Sequence, residues 1–209
     1  MTETLNRSAE GQVWQQQHEI VPIPNERIRH EVLHYAALCL PDHVHWCGGT
    51  REERRVLKYE AAIDAEQAPA SQIRCCIDGS KPAGPPTDLL PGGDSASTLR
   101  HLFHGSMKGR TMYVLPFIIP IEGTNPAIPG VQLTDSALLA CQIEQTFPSG
   151  DAAWVRLTTG SPFWLCLHAE GKQVAREDRV RWELPAEKTL WAYGPDYGIH
   201  TLRRVICGT

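Results

Sequence analysis

Histidine and cysteine recur in this 209-residue chain in three patterns that could do chemistry. His30-Glu-Val-Leu-His34 fits HExxH, in which two histidines one helical turn apart ligate zinc and the glutamate serves as base. His43, His45 and Cys47 alternate, so on a strand they would share one face, a spacing that could suit a metal ion. His101 and His104 stand at i, i+3 and would be neighbours on a helix. Each pattern depends on the element that carries it. At about 100° per residue, His30 and His34 fall near roughly 0° and 40°, whereas Ile28, Val32, Ala36 and Cys39 centre near roughly 190°. The histidine pair therefore faces away from the apolar stripe, while a catalytic zinc helix turns its histidines into a protected cleft. HExxH is read as coincidental, the His43/His45/Cys47 set as structural, and His101/His104 as solvated or pocket-lining. No Ser–His–Asp grouping is identifiable from spacing, because triads are assembled in space.

With 42% hydrophobic residues, the chain fits one large globular domain or two small ones. A formal charge of −4 gives no sign of a nucleic-acid or polybasic membrane surface. The apolar run Tyr113–Ile121 is broken by proline and far too short for a bilayer span. Met1–Gln17 is polar and lacks the apolar core of a signal peptide. The seven cysteines are odd in number and form no CxxC, which reads as reduced and mostly buried thiols. The expectation is a soluble cytoplasmic protein with no nucleic-acid or membrane partner.

The pattern of the chain predicts a loose arm over residues 1–24 and one domain over 25–209. Asn25 can cap a helix to about Leu40, which Pro41 follows. Val44–Cys47 reads as a short strand, and Thr50-Arg-Glu-Glu53 is a capping box opening a helix to about Ile63. Ile73–Ile77 reads as a strand, Gly79–Gly93 as a Pro/Gly-rich loop and Ser95–Gly105 as a helix. Thr111–Ile119 is an apolar, β-rich run expected to be a buried strand, and Val131–Leu133 a second one. Thr134 or Asp135 is expected to cap a helix packed through Leu139, Ile143 and Phe147. Trp154–Leu157, Phe163–His168, Val180–Trp182 and Leu190–Tyr193 read as short strands. The alternation is not a clean βαβ rhythm, so an α/β (α+β) fold with a mixed sheet is expected over a doubly wound parallel one.

One stretch is far more specific than the rest. Gly105-Ser-Met-Lys-Gly-Arg-Thr-Met-Tyr-Val-Leu-Pro-Phe117, followed by Gly130-Val-Gln-Leu-Thr-Asp-Ser136, preserves many unlike residue types at fixed spacing. It resembles the amino-terminal domain of GTP-dependent phosphoenolpyruvate carboxykinase. Ala36–Cys47, Trp182–Leu190 and Tyr193-Gly-Pro-Asp-Tyr-Gly-Ile-His200 are similar to other segments of the same domain. The resemblance covers roughly residues 27–209 and is patchy over 60–100 and 147–180. Gly48 stands where the family usually has aspartate.

The resemblance implies a carboxykinase N-terminal-like fold that supplies the organic-acid side of an active site. It implies that Arg74 and the Tyr197-Gly198 loop hold a substrate carboxylate. The physics is compatible, since a guanidinium fork binds a carboxylate bidentately and glycine admits close backbone approach. Three departures matter. Ile199 replaces the second loop glycine, His200 replaces an asparagine, and Arg203 and Arg204 stand near the family's paired lysines. Arginine stays protonated and is a poor metal ligand. No GxxxxGK[ST] occurs in the sequence, and the family's phosphate loop, metal ligands and guanine pocket are expected to lie beyond Thr209. Lys108 and Arg110 are read as structural, and Thr134–Ser136 as a helix cap.

These implications combine into an expected stand-alone carboxykinase-like domain that binds a small 2-oxo acid of oxaloacetate, phosphoenolpyruvate or phosphonopyruvate type. It would work without nucleotide, as a lyase or decarboxylase in a biosynthetic pathway. Arg74 would clamp, Arg203 or Arg204 would stabilise an enolate, and His200 or Tyr197 would supply a proton. A divalent metal (Mn or Mg) bound by unidentified groups stays open. The alternative is a non-catalytic ligand-binding or partner subunit, with homodimerisation as one way to cover an ancestral interface.

Overall fold

Thr111–Ile119 governs the architecture, because an apolar run buried along its length needs cover on both faces. The computed structural model describes residues 26–67, 100–121, 127–158, 162–170, 180–195 and 197–207. Their order is α1 (Glu26–Cys39), β1 (His43–Trp46), α2 (Arg51–Gln67), β2 (Thr111–Ile119), β3 (Ile128–Thr134), α3 (Ala137–Thr146), α4 (Asp151–Thr158), β4 (Trp164–Ala169), β5 (Val180–Leu184), β6 (Thr189–Tyr193) and α5 (Ile199–Cys207). The strands form a six-stranded mixed sheet in the order β1-β2-β3-β4-β6-β5. β2–β3 and β5–β6 pair antiparallel; β1–β2, β3–β4 and β4–β6 pair parallel.

The two-residue period of the strands sorts the core into two layers. Tyr113, Leu115, Phe117 and Ile119 of β2 meet α2, α3 and α5 through Leu57, Ala140, Ile143, Leu202 and Ile206. Met112 and Val114 point the other way, toward α1, residues 100–103 and α4, with Ile28, Val32, Phe103 and Trp154. Pro116 sits inside β2, yet β1 runs out at the rung Trp46↔Val114. The missing N–H therefore falls where β1 has already ended. No helix among the described residues is long and apolar enough to cross a membrane.

The capping box opens α2 as expected. Thr50 Oγ1 accepts from Glu53 N–H at 3.2 Å, and Glu53 Oε2 accepts from Thr50 N–H at 3.1 Å. Two expectations are corrected. Trp154–Leu157 is part of a helix, with Ala153, Trp154 and Leu157 buried at i, i+1, i+4 and Val155 60% exposed. The cap of α3 is Ser136, whose hydroxyl accepts from Leu139 N–H, because Thr134 and Asp135 are engaged elsewhere. Helix α5 is not among the elements expected from the sequence. The arm 1–24, the strand Ile73–Ile77 and the loop Gly79–Gly93 lie outside the described residues.

Glu144 on α3 shares the α2 side of the sheet. Its side chain is 5% exposed, Arg54 Nε stands 3.9 Å from Oε2, and Oε1 has no hydrogen-bond partner among the described residues. Burial, and then the charge of Glu53, push this carboxyl up to about 7, against the pull of Arg54 and Lys58.

Two tests follow from the packing. A Cβ on Gly130 would stand 2.2 Å from Phe117 Cζ on the paired strand, so Gly130→Ala should destabilise by about 1–3 kcal/mol in urea denaturation. Glu144 binds its proton more tightly folded than unfolded, so its contribution is present below the unfolded value and is lost as pH rises from about 4.5 to 7. In EDTA-containing buffer, Glu144→Gln should exceed the parent by on the order of 1–3 kcal/mol at about pH 8. That difference should vanish below about pH 4.5.

Candidate functional site

The turn between β6 and α5 is held from beneath by polar side chains of β3 and β4. Gln132↔Cys166 and Thr134↔His168 are paired across these parallel strands. His168, fully buried, places Nε2 3.0 Å from the Gly194 carbonyl and Nδ1 2.9 Å from Thr134 Oγ1. A carbonyl only accepts, so Nε2 carries the proton, and in the neutral ring Nδ1 accepts from the threonine hydroxyl. Thr134 Oγ1 in turn accepts from Ser136 N–H at 3.1 Å, which ties the start of α3 to the same chain of bonds.

Tyr197 closes the network from above. Its ring stacks on His168 at 4.9 Å between centroids, and its hydroxyl donates to Gln132 Oε1 at 2.8 Å. Gln132 Nε2 donates to the Leu133 and Cys166 carbonyls, so the amide orientation is fixed from three sides. Burial, reinforced by the neighbouring Cys166 thiol, holds the Tyr197 hydroxyl well above its ordinary range. It is therefore a hydrogen-bond donor into the core. Alongside, Arg110 Nε pairs with Asp135 Oδ2 at 3.1 Å and Nη2 donates to the Asp135 carbonyl, which gives Arg110 the structural role expected of it.

Beyond Tyr197 the surface becomes open and cationic. Among the described residues nothing lies within 4 Å of where a Cβ on Gly198 would stand. α5 follows, with Leu202 and Ile206 turned inward and His200, Arg203 and Arg204 exposed at i, i+3, i+4 on one face. The Arg203 guanidinium lies 5.6 Å from the centroid of the Phe147 ring. Arg204 pairs with Glu183, which also holds Arg181 at 2.8 Å. Tyr197, Gly198, His200, Arg203 and Arg204 are thus brought onto one turn and its helix, while Arg74 lies outside the described residues.

The other histidines separate. His30 and His34 are exposed on α1, as the helical wheel required, and His101 and His104 are exposed. His43, at the start of β1, is exposed, whereas His45 and Cys47, further along the same face, are buried. Sequence reasoning missed His168, Gln132 and Thr134. Their only local signal was a histidine ending the apolar run Trp164-Leu-Cys-Leu-His168; the partners are 34 and 65 residues distant.

The family model of the phosphoenolpyruvate carboxykinase N-terminal domain matches residues 70–209. Phosphoenolpyruvate carboxykinase (GTP) of Anaeromyxobacter dehalogenans strain 2CP-C is 28% identical over 203 residues, covering 87% of this chain and 34% of the relative. The Corynebacterium efficiens enzyme of the same name is 33% identical over 160 residues, covering 70% of this chain and 26% of the relative. That of Treponema pallidum subsp. pallidum is 27% identical, covering 88% and 35%. The chain spans about a third of the length of the curated relatives it matches.

Tyr197→Phe keeps the stacked ring but leaves Gln132 Oε1 without its donor. The expected loss is about 1–3 kcal/mol in equilibrium unfolding, with little change in far-ultraviolet circular dichroism.

Proposed function

Because the chain belongs to the phosphoenolpyruvate carboxykinase N-terminal domain family, we propose that the Tyr197–Arg204 segment binds the carboxylate of a small 2-oxo acid or its phospho or phosphono analogue. The observation that carries this reading is the anchored turn: a core-locked tyrosine followed by an unobstructed glycine and a helix face of one histidine and two arginines. Gly198 lets backbone N–H groups approach an anion closely, and Arg203 offers a planar fork for bidentate contact. Arg74 enters through the resemblance alone, as a second guanidinium.

Decarboxylation of an oxaloacetate-like acid is the chemistry this set of groups suits. A β-keto acid needs its carboxylate clamped, the developing enolate stabilised and the carbanion protonated. His200 takes the role of proton donor, because the Tyr197 proton is committed to Gln132. Tyr197 becomes a positioning residue, and Arg204 must leave Glu183 to reach an enolate. Those prior commitments favour, as the second reading, a domain that binds the acid without turning it over.

A thermal-shift screen of oxaloacetate, phosphoenolpyruvate, phosphonopyruvate and malate, with product analysis on any hit, separates the two readings. Arg74→Lys and Arg203→Lys should each weaken binding by about tenfold, through loss of bidentate geometry at kept charge. His200→Asn should slow turnover by on the order of 10²-fold while changing affinity little. Binding without turnover in the parent would select the second reading. Parent-like binding in both lysine variants would remove the carboxylate site from this segment.

A further inference from the structure

The corner where β1 meets α2 holds a group of side chains that the proposed carboxylate site does not use. A ring nitrogen of His45, Cys47 Sγ and a Glu53 carboxylate oxygen all lie within 4.8 Å of one another, and all three residues are buried. The fold brings them together for simple reasons. Alternation along β1 turns His45 and Cys47 to one face, and the capping box folds Glu53 back over them. Glu53 divides its oxygens. Oε2 accepts from the N–H groups of Gly48, Gly49 and Thr50 at 3.0, 2.7 and 3.1 Å, while Oε1 faces His45 Nε2 at 2.7 Å and lies 3.2 Å from Gly48 N–H. The carboxylate would therefore keep its place if the contact through Oε1 were exchanged for another.

A second, independent observation comes from α3. Glu144 Oε1 is buried without a hydrogen-bond partner among the described residues, and Glu144 sits close enough to feel the charges of this group. Burial and the charges of Glu53 and Glu144 also keep the Cys47 thiol protonated. An imidazole, a thiol and a carboxylate are thus gathered within 4.8 Å of one another, with the Glu144 carboxyl adding to the field around them.

We propose that His45, Cys47 Sγ and Glu53 Oε1 form a binding site for a zinc-class divalent cation. One nitrogen, one sulfur and one oxygen suit a borderline-soft ion, whereas magnesium and calcium take oxygen donors. Binding releases the Cys47 thiol proton to solvent and shifts the His45 proton from Nε2 to Nδ1, so the ion takes the place of the His45–Glu53 hydrogen bond. The donors come from β1 and the residue that follows it and from α2, so the ion acts as a clamp joining this strand to the helix. This site is separate from the His30-Glu-Val-Leu-His34 pattern, whose histidines are exposed.

The test uses the full chain stripped with a chelator and titrated with Zn²⁺ against a competing indicator, and with Co²⁺ by absorption. The expected result is one equivalent per chain, tetrahedral Co²⁺ bands with a thiolate-to-cobalt charge-transfer band, and a Tm that rises with added Zn²⁺. Cys47→Ser should abolish the charge-transfer band and weaken zinc binding by about tenfold or more. His45→Gln should keep the band and weaken zinc binding to a similar degree, and His30→Ala should change neither. His45→Gln, which keeps the thiol and a donor for Glu53, carries the test should Cys47→Ser fail to fold. Absence of stoichiometric binding by the folded parent would overturn the proposal. So would a cobalt band that survives Cys47→Ser, or parent-like zinc affinity in His45→Gln.

Discussion

Because β2 is buried along its length and helices cover both faces of the sheet, a polar side chain on the α2, α3 and α5 face must find its partners inside the protein. Leaving one buried polar group unpaired costs about 1–3 kcal/mol, a sizeable part of the stability of a domain this size. Most of the arrangement on this face follows from that requirement. Gln132 sends both amide protons to strand carbonyls, which leaves its oxygen for a donor from above, and Tyr197 is the donor that reaches it. His168 is turned so that one nitrogen serves the Gly194 carbonyl and the other Thr134. The β6–α5 turn is consequently placed by the pairing register of β3 and β4, far from it in sequence.

The glycines show the same economy of space at the other corner. Gly150 stands so close to the β1–α2 loop that a Cβ there would meet Gly48 O at 2.4 Å, and it adopts φ 67. Across this contact Asp151 N–H donates to the Gly48 carbonyl, and Trp154 Nε1 donates to that of Cys47. The glycine at position 48, a departure from the family pattern, thus belongs to a crossing where the loop backbone is caught between the start of α4 and the Glu53 carboxylate.

How much was legible in the sequence depended on whether its cause was local. Thr111–Ile119 read correctly because a doubly buried strand is a continuous apolar run, and Thr50–Glu53 because a capping box is closed within four residues. Trp154-Val-Arg-Leu157 misread because four residues cannot separate a strand from a helix. The deciding facts were Ala153 beside Trp154 and the exposure of Val155. α5 was hidden by attention to the loop it follows, although Ile199, Leu202, Val205 and Ile206 carry a helical spacing. The cap at Ser136 could not be chosen over Thr134 without knowing that His168 claims the threonine hydroxyl. The candidate site divides the same way: Tyr197, Gly198, His200, Arg203 and Arg204 are contiguous and visible, whereas Gln132 and His168 are joined to them only by the fold.

Saturation of hydrogen bonding then separates positioning groups from groups able to meet a ligand. Gln132, Thr134, His168 and the Tyr197 hydroxyl have each found partners within the protein, so engaging a ligand would mean breaking a buried bond first. Recognition at this turn must fall to the backbone at Gly198 and to the exposed side chains of α5, where exchange with water is inexpensive. Glu144 is the contrary case: its Oε1 is buried, carries partial charge and has no hydrogen-bond partner among the described residues. The family relationship accounts for the sheet and for the turn, because these depend on pairing and packing that related sequences share. It does not by itself assign chemistry to either corner, since one fold supports different sites through a few side chains. The departure from the family pattern at His200 lies on the exposed side of that turn, where it bears on a ligand and not on the core.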